Sequence, residues 1–589
     1  MLSDNKIQEI LKTNNILDEE EIAKYLKDAE IKKESLEQYL LEAQIIDENI
    51  LYNAVATFYN LPFVNLREKS IDKDILFLIP EPLASTYQII AFEKSDQALS
   101  AAVTDPEDIQ TIEFIGRKVN LPVSLFITTP SAIKDASKLY HQSLETELSN
   151  IQSKTGGKLT ATGLGGGGNE KIGSTGNLED LAKDLPVIRV VDTLLEYAIF
   201  EGASDIHIEP AENAVFVRYR IDGVLRDVMT LPVNLKEGIT ARIKILSNLK
   251  LDEHRLPQDG RFKIENKDYR ISFRVSLIPV YDGEKIVIRL LDEGKKHLTL
   301  EQLGLQRNAL TIVKENLVKP NGMLLVTGPT GSGKTTTLYT MMDILNTPEV
   351  NIATIEDPIE YRMPRVNQSQ VNPKIKFTFA AGLRSLLRQD PNIIMVGEIR
   401  DKETGNIAVN AAMTGHLVLS TLHTNDAPTA LPRLLDMDIE PFLVASTVNV
   451  IIAQRLVRKI CKHCMTSFTL KPDEIQELQD EFHIDLNHVT KTLLAVEKST
   501  EQQDLSTMLF FHGKGCNKCG GQGYKGRVGI YEVMPMTENL KELVVSQKDS
   551  DTIREKAREE GMMTMLEDGF LKAKEGVTTI EEVLRVTKE

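Results

Sequence analysis

The spacing of apolar and polar positions changes several times along the chain. Over residues 1–60, apolar residues recur every three or four positions, which predicts amphipathic helices. Two of these helices open alike. "NILDEEEIAKYL" from Asn15 and "QIIDENILYNAV" from Gln44 each place two apolar residues before an aspartate, Asp18 or Asp47, positioned to N-cap the helix. From Leu61 to about Tyr140 short apolar runs replace the helical period. "YQIIAFEK" and "ALSAAVTDP" predict a hairpin, followed by a helix, in a small α/β domain. Residues 1–142 are thus expected to form an N-terminal docking region, helical over 1–60 and α/β over 61–142.

The tract "SKTGGKLTATGLGGGGNEKIGSTGN" then has almost no large apolar residues and cannot build a core. It predicts a Gly-rich linker over 143–183. Its "GLGGGG" lacks the flanking strand and helix that a phosphate-binding loop needs. A middle domain is expected over 184–300, with a helix "VIRVVDTLLEYAIFEGA" and strands "SDIHIEP", "AVFVRYRIDGVL", "RISFRVSLIPV" and "EKIVIRLL". Beyond Leu300, strands and helices alternate, which predicts a domain over 301–589 with a largely parallel sheet and C-terminal helices.

Length and charge narrow this picture. The 589 residues suit about three to five domains. The net charge of −17 argues against a bulk nucleic-acid binder, because phosphate binding needs a basic surface. No apolar run approaches the roughly 20 residues of a bilayer span. The best run, "FLVASTVNVIIA", is short and carries Ser, Thr and Asn, and the N-terminal segment lacks a signal peptide's apolar stretch. A cytoplasmic protein is expected, with membrane contact only through partners.

The strongest chemical motif is "GPTGSGKTTT", Gly328–Thr337, between a buried-strand run, "GMLLVTG", and a helical run, "TTLYTMMDIL". Glycines allow backbone N–H groups to close around phosphate oxygens at a helix N-terminus. Gly328, Pro329, Thr330, Gly331, Ser332, Gly333 and Thr336 would line this cradle. Lys334 would reach the outer phosphates, and the Thr335 hydroxyl would ligate Mg²⁺. In "RQDPNIIMVGEIRD", the apolar run ends at Gly397-Glu398, where a second metal-orienting carboxylate belongs, and Glu398 is the candidate. "ATIEDPIEY" offers Glu356 and Glu360 as groups that could orient or deprotonate water. His416 and His423 flank the run "LVLST" and could sense a γ-phosphate, link to a neighbouring subunit, or be structural.

In chain order, "GPTGSGKTTT", "TIEDPIEY", "VGEIRD" and "TGHLVLSTLHTNDA" resemble the secretion ATPase superfamily that drives type II secretion and type IV pilus assembly. "ASDIHIEP", "YRIDGVLR" and "LPQDGRF" also match it. The resemblance implies a RecA-like P-loop motor preceded by a PAS-like middle domain, working as a homo-hexamer with ATP and Mg²⁺. It implies that Glu360 is the water-activating glutamate, that Glu398 is the Walker B acid, and that His416 and His423 are the histidine-box pair. It implies that Arg274 and Arg289 are carried onto the nucleotide by the middle domain, and that Arg384 and Arg388 lie near the site. The implied partners are an inner-membrane platform protein and other pilus or secretion assembly proteins, with no direct nucleic acid. A DNA-uptake or conjugation motor and a non-catalytic nucleotide-binding scaffold are the competing classes. Some members bind cyclic di-GMP through an Arg-Leu-Gly signature. Neither repeat opening carries it, so tight binding is not expected.

The chain has four cysteines, paired as "CKHC" (Cys461, Cys464) and "CNKC" (Cys516, Cys519). Two such doublets suit one closed tetrahedral Zn²⁺ site. Disulfide redox chemistry and an iron–sulfur cluster are the rivals. His463, inside the first doublet, is expected not to be a ligand. A zinc module over 456–530 is expected within the motor, and the resemblance associates it with assembly motors and not with retraction motors.

Overall fold

The computed structural model describes residues 4–139, 185–482 and 505–588, apart from short breaks (chiefly 33–34, 80–82, 85–86, 266–269, 295–297 and 517–518), with three isolated residues between the last two stretches. The Gly-rich linker expected over 143–183 lies outside the described residues. The chain forms two compact units, Met1–Glu265 with Ile271–Leu290, and Asn266–Arg270 with Leu291–Glu589.

In the first unit both expected caps are present. Asp47 accepts the backbone N–H of Asn49 at 2.8 Å, and Asp18 and Glu21 exchange side-chain-to-backbone bonds. Ile89–Lys94 and Leu99–Val103 form the expected hairpin, and Val123–Ile127 adds a parallel third strand after the helix Ile109–Val119. A six-stranded sheet follows. The run "AVFVRYRIDGVL", read above as one strand, is two. Ala214–Ile221 and Val224–Pro232 pair antiparallel and turn at Asp222-Gly223, both with positive φ. An Asp-Gly pair with this backbone matches the right-handed twist of a tight hairpin. The helix Lys236–Leu246 and strand Gln258–Glu265 were also not anticipated.

The second unit is built on a seven-stranded sheet. Its strands lie in the order Val366–Gln370, Ile352–Glu356, Ile393–Val396, Leu417–Leu422, Gly322–Thr327, Val448–Ile460, Tyr524–Pro535. The first six are parallel, as expected, and the last runs antiparallel. Gly322–Thr327 is buried at every position. Met323 and Leu325 pack into the apolar core on one face, while Leu324 and Val326 pack into the core on the other. Burial on both faces explains why these strands read as continuous apolar runs.

No helix among the described residues is long and apolar enough to cross a membrane. "FLVASTVNVIIA" divides into the helix Pro441–Thr447 and the start of the strand Val448–Ile460.

Candidate functional site: a phosphate loop and a four-thiol staple

Because six strands are parallel, their carboxyl ends share one edge of the sheet, where ligands of open α/β sheets bind. Gly322–Thr327 ends in the loop Gly328–Gly333, and the helix Lys334–Leu345 begins at once with Gly333 in the left-handed region as its N-cap. Lys334 is buried. Its Nζ donates to the carbonyls of Gly328 at 2.7 Å and Pro329 at 3.1 Å, so the side chain folds back over the loop. Burial pulls its pKa below the usual lysine range, and the Glu398 carboxylate opposes that shift.

Glu398 follows the strand Ile393–Val396 and is 8% exposed. Its Oε2 lies 3.1 Å from His423 Nε2 and 2.6 Å from Arg400 Nε. The backbone ahead of it is fixed, since the carbonyl of Gly397 accepts the Thr421 hydroxyl at 2.6 Å. Thr327, the last residue of the phosphate-loop strand, bonds to Thr424 through hydroxyl and backbone, which joins that loop to the one carrying His423.

The two glutamates of "ATIEDPIEY" separate cleanly. Glu356 is buried and bonded to Tyr339, Thr354 and Gln368. Burial raises its pKa, and those three bonds oppose the rise. It ties the loop helix, through Tyr339, to the neighbouring strand. Glu360, four residues on, keeps a buried Oε2 with no hydrogen-bond partner. The residues therefore leave Glu360, and not Glu356, with an uncommitted carboxylate oxygen.

The other expected site residues are more scattered. His423 follows the carboxyl end of the strand Leu417–Leu422, but His416 precedes its amino end and bonds through Nδ1 to the Ala411 carbonyl at 3.0 Å. The two histidines thus lie at opposite edges of the sheet. Arg384 makes an exposed ion pair with Glu403 at 2.5 Å, and Arg388 donates to the Arg384 carbonyl at 2.9 Å. In the first unit, Arg274 and Arg289 lie on adjacent strands of the six-stranded sheet. Both are on the face opposite the buried Phe273, Val275, Ile286 and Ile288. Arg289 is held by Asp205 at 2.9 Å. Gln454 was missed, although an amide directly after the apolar run "VIIA" is a visible signal.

The strands Val448–Ile460 and Tyr524–Pro535 pair from Val450↔Pro535 to Ile460↔Tyr524. They run past the phosphate loop as a two-stranded ribbon, and the cysteine doublets lie at its end. Facing thiols are 3.8 Å apart for Cys461–Cys516 and 3.9 Å for Cys464–Cys519, and Cys516–Cys519 are 3.7 Å apart. All four sulfurs lie within 4.8 Å of one another. Four sulfurs around Zn²⁺ at ~2.3 Å would stand about 3.8 Å apart, close to the three spacings just given, so the donor set suits that ion. They are too far apart to be disulfides. The N–H groups of Cys516 and Gly523 point at Cys519 Sγ, the kind of donor that supports a thiolate ligand. His463 is exposed and outside the group.

A glycine turn at the end of a buried central strand, opening a helix with a buried lysine, and a carboxylate just past a nearby strand are the elements expected of a nucleotide-hydrolysing enzyme. The chain belongs to the type II/IV secretion system protein family, whose profile matches residues 180–585. An MshEN domain matches residues 59–147. The chain is 38% identical over 583 residues to the type IV pilus assembly ATPase PilB of Myxococcus xanthus, covering 98% of each chain. It is 37% identical over 578 residues to PilB of Pseudomonas aeruginosa, covering 98% of this chain and 97% of that one. It is 40% identical over 476 residues to the type II secretion system protein E of the same organism, covering 81% and 89%.

Proposed function

We propose that this ATPase is the motor of a type IV pilus assembly or type II secretion machine, acting as a homo-hexameric ring on an inner-membrane platform protein. The observation that carries the reading is the convergence of Lys334, Glu398 and His423 with the phosphate loop on one edge of a largely parallel sheet, beside its buried central strands. In this reading the second unit is RecA-like and the six-stranded sheet of the first is PAS-like.

In the proposed cycle the loop N–H groups and Lys334 bind the nucleotide phosphates. Thr335 and Glu398 would hold Mg²⁺, which when bound neutralises phosphate charge. Glu360 accepts a proton from the attacking water, whose oxygen bonds to the γ-phosphorus as the bond to the ADP oxygen breaks. Arg274 and Arg289 add positive charge as the phosphoryl group transfers. The four cysteines hold Zn²⁺ as a structural staple.

Steady-state ATP turnover tests the reading. Lys334→Ala should lower it by at least ~100-fold, the scale of losing a principal charge-stabilising group. Turnover of the intact protein should rise with the cytoplasmic part of the platform protein and not with DNA. A rise with DNA alone would replace this motor with a nucleic-acid motor. Unchanged turnover in Lys334→Ala would remove the assigned site.

A further inference from the structure

The loop Gly328–Gly333 is braced from outside. Gln454, on the adjacent strand Val448–Ile460, is 1% exposed. Its Nε2 donates to the Ser332 carbonyl at 2.7 Å, and its Oε1 accepts from the Thr337 hydroxyl at 2.7 Å. A Cβ at Gly328 would stand 2.5 Å from the Gln454 carbonyl, and one at Gly333 would stand 3.2 Å from Gln454 Nε2. One residue thus touches the start of the loop, its end and the first turn of the helix. Ser332 has no anchor through its own side chain, since its buried Oγ has no hydrogen-bond partner.

We propose that Gln454 is a positioning residue for nucleotide binding, which sets the shape the loop needs to grip the β-phosphate of a nucleoside di- or triphosphate. The inference rests on the reading of this loop as the nucleotide site. Its physical basis is the planar trans peptide, in which C=O and N–H point in opposite directions. Holding the Ser332 carbonyl toward Gln454 turns the Gly333 N–H away from that strand, and a loop N–H of this kind is a donor for an anion. Released, the peptide can rotate and withdraw the donor.

The task requires one donor and one acceptor on the same short side chain, and an amide has both. A carboxylate offers no donor to the carbonyl, and a thioether offers neither bond. The brace is itself immobile. Its strand pairs with the phosphate-loop strand at Thr327↔Ala453 and with the antiparallel strand at Gln454↔Tyr531.

The test uses the full chain with Gln454→Met, which keeps volume and removes both bonds, and Thr337→Val, which removes one. ADP and AMP affinities are measured by calorimetry. Losing two buried bonds should weaken ADP by about tenfold in Gln454→Met and about threefold in Thr337→Val. AMP lacks the β-phosphate and should change by less than about twofold in both. ADP affinity within about twofold of wild type would overturn the proposal. So would equal losses for ADP and AMP, which would indicate general loosening. If Gln454→Met fails to fold, Thr337→Val decides by the same criterion. Lys334→Ala is measured alongside. Wild-type ADP affinity in that variant would refute the nucleotide site itself, whereas a lost Lys334 contribution with normal Gln454→Met binding would refute only the brace.

Discussion

The two large sheets use their faces in opposite ways. In the motor sheet, Gly322–Thr327 and Leu417–Leu422 are buried at all positions, with apolar cores on both sides. In the six-stranded sheet of the first unit, Arg270–Val280 alternates between buried and open positions. Ile271, Phe273, Val275 and Leu277 face its core, and Ser272, Arg274 and Ser276 do not. A sheet covered on both faces admits a charged side chain only where buried hydrogen bonds satisfy it, as at Glu356 and Glu532, so open charged chemistry moves to the loops at one edge. A sheet covered on one face can carry charges along its length. Its open face holds Arg218, Lys285 and Arg289 against Glu209 and Asp205. The first arrangement gives a rigid platform with a site at its rim, and the second gives a charged surface.

The sharpest test of this contrast is a truncation in each sheet. Leu325→Ala, at a fully buried motor position, should cost about 2–5 kcal/mol in chemical denaturation, because the cavity cannot collapse between two packed faces. A cost near zero would mean that the motor sheet is not packed on both sides.

Next in size is the division between the two glutamates at the rim. Glu360→Gln should reduce turnover by about 10²-fold or more while ADP still binds. Glu356→Ala should instead destabilise by about 1–3 kcal/mol, since it strips buried hydroxyls of their partner. Exchanged phenotypes would reverse the assignment.

Removal of metal tests the ribbon. The purified protein should hold about one zinc per chain, and chelation should lower its melting temperature. Less than about one zinc, with the fold intact after chelation, would refute the staple.

A pH effect should distinguish the motor's buried edge strand. Glu532 accepts the Ala427 N–H at 2.8 Å. Burial, aided by Asp426, pushes its carboxyl up to about 7, against the Ala427 N–H and Arg554. The folded state therefore holds this proton more tightly than the unfolded chain, whose glutamates titrate near ~4.3. That stabilisation is complete below the unfolded pKa and is lost as pH rises through about 7. Melting temperature should fall between pH 5 and 8, and Glu532→Gln should remove that part of the slope. The smallest effect belongs to the open face of the other sheet, where Ile278→Ala should change stability by less than about 0.5 kcal/mol.

Much of this was legible in one dimension. The runs "GMLLVTG" and "IIMV" announced buried parallel strands, because burial on both faces removes alternation. The cysteine doublets announced a four-thiol site, because each knuckle is local. The turn at Asp222-Gly223 was visible but unread, and the helix Lys236–Leu246 has a weaker apolar stripe than the anticipated N-terminal helices Asp4–Thr13, Glu19–Lys32 and Glu48–Tyr59. Long-range ties were not legible. Nothing near Glu356 announces Tyr339 or Gln368 as its partners, and nothing near Ser332 announces an amide 122 residues away.

The sequence by itself determined the phosphate loop, the candidate carboxylates and the thiol doublets, because each is a short motif whose chemistry depends on neighbours in the chain. Only the tertiary structure decided that Glu356 is tied up while Glu360 keeps a free oxygen, and that His416 and His423 stand at opposite edges. It alone set Gln454 behind the loop. Those outcomes depend on which strands lie side by side, and strand order is settled by packing two apolar faces at once, which no local pattern encodes.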